Sequence, residues 1–94
     1  MTVRIAPKAS ADLHASLDYI RRRNPAAAHK LAERVFAIIE KLAAGDFEGH
    51  QQRLLTGEVV RSWPVPPFRI YYQRRSDVFL VLRIYHQARR PIAR

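Results

Sequence analysis

The residues best suited to chemistry lie near the C-terminal end of the chain. Residues 83–90 combine a tyrosine, a histidine and three arginines in the order Arg-Ile-Tyr-His-Gln-Ala-Arg-Arg. A ribonuclease could use such a set, with His86 as general acid or base near neutral pH and arginines stabilising the pentavalent phosphate. Two earlier arginines complete the candidate catalytic set, which is Arg61, Arg69, Arg83, Tyr85 and His86.

The same residues also have a structural interpretation. A histidine at the end of a strand can hydrogen-bond a backbone carbonyl, and Arg83 can form an ion pair or bind carbonyl groups. Alternation along a strand places Arg83 and His86 on opposite faces unless a β-bulge intervenes. The sequence therefore leaves a catalytic role and a structural or binding role both open, and the alternation favours the second.

Aromatic residues are interleaved with arginine in the same half of the chain. This pattern resembles a surface on which RNA bases stack, although the glycine-aromatic signature of the common RNA-recognition sheet is absent. Aromatic residues on strands more often pack in the core or against neighbouring strands. We therefore expect core packing for the six residues in question, which are Trp63, Phe68, Tyr71, Tyr72, Phe79 and Tyr85.

The charge predicts an acidic partner. Seventeen lysines and arginines against eight acidic residues give a net charge of +9 over 94 residues. Residues 48–94 hold nine basic residues, all arginine, and three acidic residues. Arginine suits bidentate contacts to phosphate or carboxylate, and it cannot act as a proton-transfer base. Nucleic acid or an acidic protein would match this charge, and a solvated surface that keeps the domain soluble is the alternative.

Several classes of protein are disfavoured by what the sequence lacks. It has no cysteine, which excludes a disulfide scaffold, a cysteine nucleophile and thiolate zinc sites. Its four histidines lack ligand spacing and its three glycines form no phosphate-binding loop, so no metal or cofactor is expected. No apolar run approaches a membrane span or a secretory signal, and we expect a cytoplasmic protein with no membrane partner.

Two amphipathic helices are predicted in the first half. Apolar residues recur at helical spacing from Lys8 to about Arg23 and again from Pro25 to about Ala44. Asn24 is predicted to cap the second helix, and Gly45 to end it. Because so few residues separate the helices, we expect an antiparallel hairpin.

The second half predicts strands. The predicted strands, including a short one before the helices, are 2–6, 58–65, 68–74 and 78–86. Residues 46–57 are predicted as a loop, and Pro66-Pro67 as a turn. In the last strand we expect Val78, Leu80, Leu82 and Ile84 on one face, with Phe79, Val81, Arg83 and Tyr85 on the other. The predicted fold is α+β, β-α-α-β-β-β, an antiparallel sheet covered on one face by the hairpin, in a single domain over 1–94.

Five motifs stand in these elements. They are Ala9-x-x-Asp12-Leu13, Asn24-Pro25-x-Ala27-Ala28, Arg61-Ser-Trp63-Pro64-Val65, Phe68-Arg69-Ile70-Tyr71-Tyr72 and Leu82-Arg83-Ile84-Tyr85-His86-x-Ala88-Arg89. In order and spacing they resemble the RelE/ParE toxins of type II toxin–antitoxin systems, and most closely the ParE branch. The resemblance covers essentially the whole chain, and the last motif is similar to the Arg-Val-x-His-x-x-Arg signature that ends the family's final strand.

The resemblance implies a plasmid-stabilisation toxin neutralised by an acidic, ParD-like antitoxin, with operator DNA reached only through that antitoxin. ParE members inhibit DNA gyrase by binding, whereas RelE members are ribosome-dependent mRNA endonucleases that use several Lys and Arg plus a C-terminal Tyr or His. Here the second half has no lysine, and only Pro-Ile-Ala-Arg follows Arg90. Both departures count against the nuclease assignment, and the His-x-x-Arg ending favours the ParE branch.

Three functional hypotheses result from the resemblance. A gyrase inhibitor would contact its target through Arg83, His86, Arg89 and Arg90. An mRNA endonuclease would hold phosphate with the arginines of the catalytic set and move protons with His86 or Tyr85. A non-toxic interaction module would act only with its antitoxin. All three share an acidic amphipathic antitoxin segment, docked along the helical hairpin or a sheet edge.

Overall fold

A helical hairpin packed on a five-stranded sheet makes up the fold. The computed structural model describes residues 1–87. The elements in chain order are β1 (Thr2–Ile5), α1 (Pro7–Arg23), α2 (Pro25–Ala44), β2 (His50–Arg53), β3 (Val59–Val65), β4 (Phe68–Arg75) and β5 (Val78–His86).

The helix boundaries follow from capping chemistry. The Asn24 side chain accepts a hydrogen bond from the Ala27 N–H at 3.1 Å, and Pro25 occupies the first turn of α2, where its missing N–H costs nothing. Gly45 ends α2 in the left-handed region with φ of 85°. The predicted caps and both helix boundaries are therefore confirmed, with α1 beginning one residue earlier than predicted.

The sheet has the strand order β1-β5-β4-β3-β2. β3, β4 and β5 form the predicted antiparallel meander, and β1 joins β5 in parallel. The α+β class is confirmed, but the sheet is mixed rather than antiparallel. The prediction of a loop throughout 46–57 is wrong for β2, whose sequence is His-Gln-Gln-Arg. As a largely exposed edge strand, β2 carries no apolar alternation that would reveal it.

The core lies between the hairpin and one face of the sheet. Fully buried Phe68, Tyr72 and Phe79 confirm the expected core packing for these aromatics, and the rings of Tyr72 and Phe79 stack at 4.7 Å. Trp63 is half-buried against Phe47. The buried helix residues are Ala9, Leu13, Leu17, Ala28, Leu31, Val35, Ile39 and Leu42, and the remaining buried sheet residues facing them are Val65, Ile70, Val81 and Ile84.

A smaller apolar cluster lies on the opposite, outer face of the sheet. It consists of Leu54, Val60 and Tyr71, with the half-buried Leu82 and Tyr85 packed against it. The helices do not cover this face, so its side chains are the ones that the sheet presents outward.

A β-bulge in β5 changes which side chains share a face. Tyr71 pairs with Arg83 and Tyr72 with Val81, so Leu82 has no residue opposite it. The predicted grouping is therefore wrong: Ile84 joins Phe79 and Val81 in the core, while Leu82, Arg83 and Tyr85 lie on the outer face. An extra residue shifts the alternation by one position, and strict period-two reasoning misses it.

Close backbone packing requires a glycine at position 49. A Cβ on Gly49 would lie 2.0 Å from the Ser62 carbonyl oxygen, whereas a Cβ on Gly45 would meet nothing within 4 Å. We expect Gly49→Ala to lower the free energy of unfolding by about 2 kcal/mol or more. The control Gly45→Ala should cost about 1 kcal/mol, because only its backbone conformation is unfavourable. Urea denaturation of both variants measures this, and equal costs would contradict the packing argument.

Candidate functional site

Arg83 forms a two-point ion pair with α1. Its Nε donates to Asp12 Oδ2 at 2.7 Å and its Nη2 to Asp12 Oδ1 at 2.9 Å. The side chains are only 27 % and 15 % exposed, and hydrogen bonding to Asp12 raises the pKa of Arg83 despite partial burial. The guanidinium also lies over the ring of Tyr85, with its carbon 5.3 Å from the ring centre. Among the structural roles expected for Arg83, which were an ion pair and carbonyl binding, the structure shows the ion pair.

Arg69, Arg83 and Tyr85 lie together on the outer face of the sheet, and we call these three residues the outer-face group. Arg69 stands opposite Tyr85 across β4 and β5, and its Nη1 donates to the Ser62 hydroxyl at 2.9 Å. Burial raises the pKa of the neighbouring Tyr71. The charge of Arg69 acts to lower this pKa, and the nearby Tyr85 acts to raise it. The outer-face group therefore combines two fixed guanidinium groups with one half-buried phenol.

Arg61 and His86 lie on the helix-facing side of the sheet. Arg61 is opposite Tyr72 and donates to the Gly49 carbonyl at 2.8 Å. His86 is opposite Phe68, and the two rings meet edge to face at 5.7 Å. The five residues of the candidate catalytic set are thus divided between two faces and do not converge on one point. Arg89 and Arg90, also predicted as target contacts, lie outside the described residues.

A hydrogen-bond network that sequence reasoning missed fixes the connection between α2 and β2. The Tyr72 hydroxyl donates to Glu48 Oε1 at 2.5 Å and accepts from the Gly49 N–H at 2.8 Å. Arg74 donates to the Glu48 carboxylate at 3.2 Å and to the Leu42 carbonyl at the end of α2. No pattern in the sequence marks this network, since each of its hydrogen bonds joins residues more than twenty positions apart.

The network shifts the pKa of both of its acids. Burial alone would raise the pKa of Glu48, but hydrogen bonds from Tyr72 and Arg74 and nearby arginine charges hold it below its usual value. Burial, together with the hydrogen bond to Glu48, raises the pKa of Tyr72 to about 12. A carboxylate that stays ionised and a phenol that stays neutral near pH 7 suit structural anchoring better than proton transfer.

A cleft of about 390 Å³ lies where β3 and β4 separate. Their pairing stops at Arg61 and Tyr72, and beyond it Gln73 bridges the gap by donating to the Val59 carbonyl at 2.9 Å. Arg75 in turn donates to the Gln73 side chain at 2.9 Å. The Gln73 side chain is therefore bonded both to β3 and to Arg75.

Two structural findings concern cofactors and membranes. Among residues 1–87, no three histidine, cysteine or acidic side chains are grouped so that they could hold a metal ion. Within the same range, no helix is both long enough and apolar enough to cross a membrane.

The described residues thus form a helical hairpin on a mixed five-stranded sheet, with arginines on the outer face of the sheet. Residues 3–91 match the family described as ParE toxin of type II toxin–antitoxin system, parDE, and the chain belongs to this family. A solved structure of the chromosomal ParDE TA system from P. aeruginosa contains a similar fold, with a TM-score of 0.74 and 23 % identity. That match covers 92 % of this chain and 95 % of the other. No curated protein matches the chain.

The buried phenol of Tyr72 predicts a loss of stability at high pH. A tyrosine in the unfolded chain ionises near pH 10, whereas Tyr72 in the folded protein has a pKa of about 12. The unfolded chain therefore releases this proton first, and the free energy of unfolding should fall between pH 10 and 12, by up to about 3 kcal/mol. Below pH 10 this contribution is fully present.

Chemical denaturation at pH 9 and pH 11.5 measures this difference. Tyr72→Phe should lose stability at both pH values, because the Gly49 N–H is left without its acceptor, but it should show a smaller further fall at high pH. Tyr19→Phe, at a residue that is 58 % exposed, is the matched control and should keep the full decrease. An identical decrease in Tyr72→Phe and the wild type would contradict the assignment to Tyr72.

Proposed function

We propose that this ParE toxin inhibits DNA gyrase by binding it in the cytoplasm, as a single-domain protein. The observation that carries the proposal is the division of the candidate catalytic set between two faces of the sheet. General acid–base chemistry needs its proton donor and its phosphate-binding groups at one reacting centre. A binding inhibitor has no such requirement, and membership of the ParE family supports this alternative.

The surface proposed for the target is the C-terminal end of β5. Arg83 stands opposite Tyr71 of the outer face, with its guanidinium bound to Asp12, and His86 lies on the opposite face next to Phe68. The end of the strand is fixed to the preceding turn, because the Gln87 N–H donates to the Pro67 carbonyl at 2.9 Å. Loops and strand ends held by a rigid scaffold commonly carry binding residues. Arg89 and Arg90 extend this proposal along the chain.

We further propose neutralisation by a cognate acidic antitoxin of ParD type, which alone contacts operator DNA. The similar P. aeruginosa chain comes from a ParDE TA system. In this chain, a partly apolar groove of about 140 Å³ runs between α1, α2 and β1. Phe36 beside it and Val3 on the edge strand are exposed. An amphipathic segment with acidic residues would complement both this groove and the +9 charge.

Gyrase supercoiling of relaxed plasmid tests the proposed target. Protein purified away from its antitoxin should inhibit supercoiling and cause cleaved DNA to accumulate, and added antitoxin should reverse both effects. His86→Gln should weaken inhibition at least about tenfold, since one central contact is typically worth that much. His29→Gln is the matched control, because His29 is an exposed histidine of α2 whose Nε2 lies 2.7 Å from Glu33 Oε1 on the same helix.

Two other results would replace gyrase inhibition with one of the alternative functions. A folded sample that leaves gyrase unaffected at high excess but cleaves mRNA on translating ribosomes would support the endonuclease hypothesis. A sample that does neither, and whose expression without antitoxin is harmless, would support the interaction module.

The charge complementarity predicts a salt-dependent association with the antitoxin. We expect the association rate constant to fall at least about tenfold between roughly 50 mM and 500 mM salt, because screening shortens the reach of the basic field. The dissociation rate constant should change less, since apolar contacts are not screened. Stopped-flow fluorescence measures both constants, and an association rate independent of salt would contradict electrostatic steering.

A further inference from the structure

The last part of β5 has an open edge. β1 pairs with β5 only from Val78 to Val81, and the Ala6 N–H donates to the Val81 carbonyl at 2.9 Å where the pairing ends. Among residues 1–87, no strand pairs with this edge beyond that point. An unpaired backbone N–H at a sheet edge needs another acceptor, and the edge is otherwise free to fray or to pair with another chain.

Asp12 of α1 takes the place of the missing strand. Its Oδ2 accepts a hydrogen bond from the Ile84 backbone N–H at 3.2 Å, in addition to the two bonds from Arg83. One largely buried carboxylate therefore binds three donors from two consecutive residues of β5. Charge-assisted, two-point bonds of this kind fix direction as well as distance.

The same contact fixes the outer-face group. Arg83 is held by Asp12 on one side and lies over the ring of Tyr85 on the other, and Tyr85 stands opposite Arg69. Gln87 binds the Pro67 carbonyl on the β4 side. The end of β5 is thus held along both of its edges, and Asp12 supplies the hold on the open one.

We propose that Asp12 is a positioning residue for the target-binding surface, which it sets by holding Arg83 and the Ile84 backbone. This inference rests on the proposed function, because it assumes that the end of β5 contacts the target. Asp12 acts through Arg83 and the strand and does not itself need to touch the target.

The test compares Asp12→Ala with Asp18→Ala in the full chain. Asp18 lies on the same helix in an exposed pair with Arg21, so both variants remove one carboxylate and add one strong helix former. Asp12→Asn provides a neutral oxygen that can still accept from Ile84, and Arg83→Lys keeps the charge but loses the two-point geometry. Amide hydrogen exchange, gyrase inhibition and growth arrest without antitoxin are measured for each.

If the proposal is correct, Asp12→Ala speeds exchange of the Ile84 amide at least about tenfold while amides of core residues such as Val35 stay protected. Gyrase inhibition and growth arrest fall at least about tenfold, and antitoxin affinity stays within about threefold. Arg83→Lys lowers both activities in the same way, Asp12→Asn is intermediate in exchange, and Asp18→Ala behaves as the wild type.

Other results overturn it. Full activity of Asp12→Ala despite faster Ile84 exchange shows that positioning has no consequence for the target. Faster exchange throughout the core shows that Asp12 serves stability alone. A wild type that arrests growth without affecting gyrase overturns only the proposed target, since growth arrest still reports on Asp12. A wild type with neither activity overturns both the proposed function and this inference.

Discussion

The burial of one sheet face beneath the helical hairpin is the constraint on which the rest of the structure depends. Burying an apolar side chain fully contributes about 1.5–3 kcal/mol to stability. The apolar side chains of Phe68, Ile70 and Tyr72 therefore determine which face of β4 packs against the helices. The residues that alternate with these core residues along the strand then lie on the outer face. The outer-face group exists because Arg69 and Tyr85 alternate with residues that the core requires.

That constraint also explains which features the sequence could predict. Helix boundaries and the core face of β4 were predictable, because capping residues and apolar periodicity depend on neighbours in the chain. The short edge strand β2 was not, since an edge strand in contact with solvent needs no apolar pattern. The bulge at Leu82 was not predictable either: it is a property of the pairing between β4 and β5, and it moves Ile84 into the core.

The candidate site was predictable as a set of residue types but not as an arrangement. The division of His86 from Tyr85 follows from alternation, and the sequence already indicated that Arg83 and His86 would lie on opposite faces. The partner of Arg83 could not be identified, because Asp12 precedes it by 71 positions and only the packing of α1 against β5 brings them together. The sequence shows only that Asp12 is a polar residue next to the buried Leu13 of α1. Its role as a partner of β5 can be inferred only once the open edge of β5 is known.

The arginines of this protein both carry its positive charge and form fixed hydrogen bonds within the fold. Arg34 and Arg53 donate to backbone carbonyl groups, and Arg69 donates to a hydroxyl, so these hydrogen bonds join each positive charge to a neutral acceptor. Arg83 differs because Asp12 neutralises it locally. Lysine would carry the same charge but could not form the fixed, planar contacts. Charge at long range and geometry at short range therefore come from the same side chains. In the complex proposed above, the field would speed the encounter with an acidic antitoxin, and the fixed groups would set which partner stays bound.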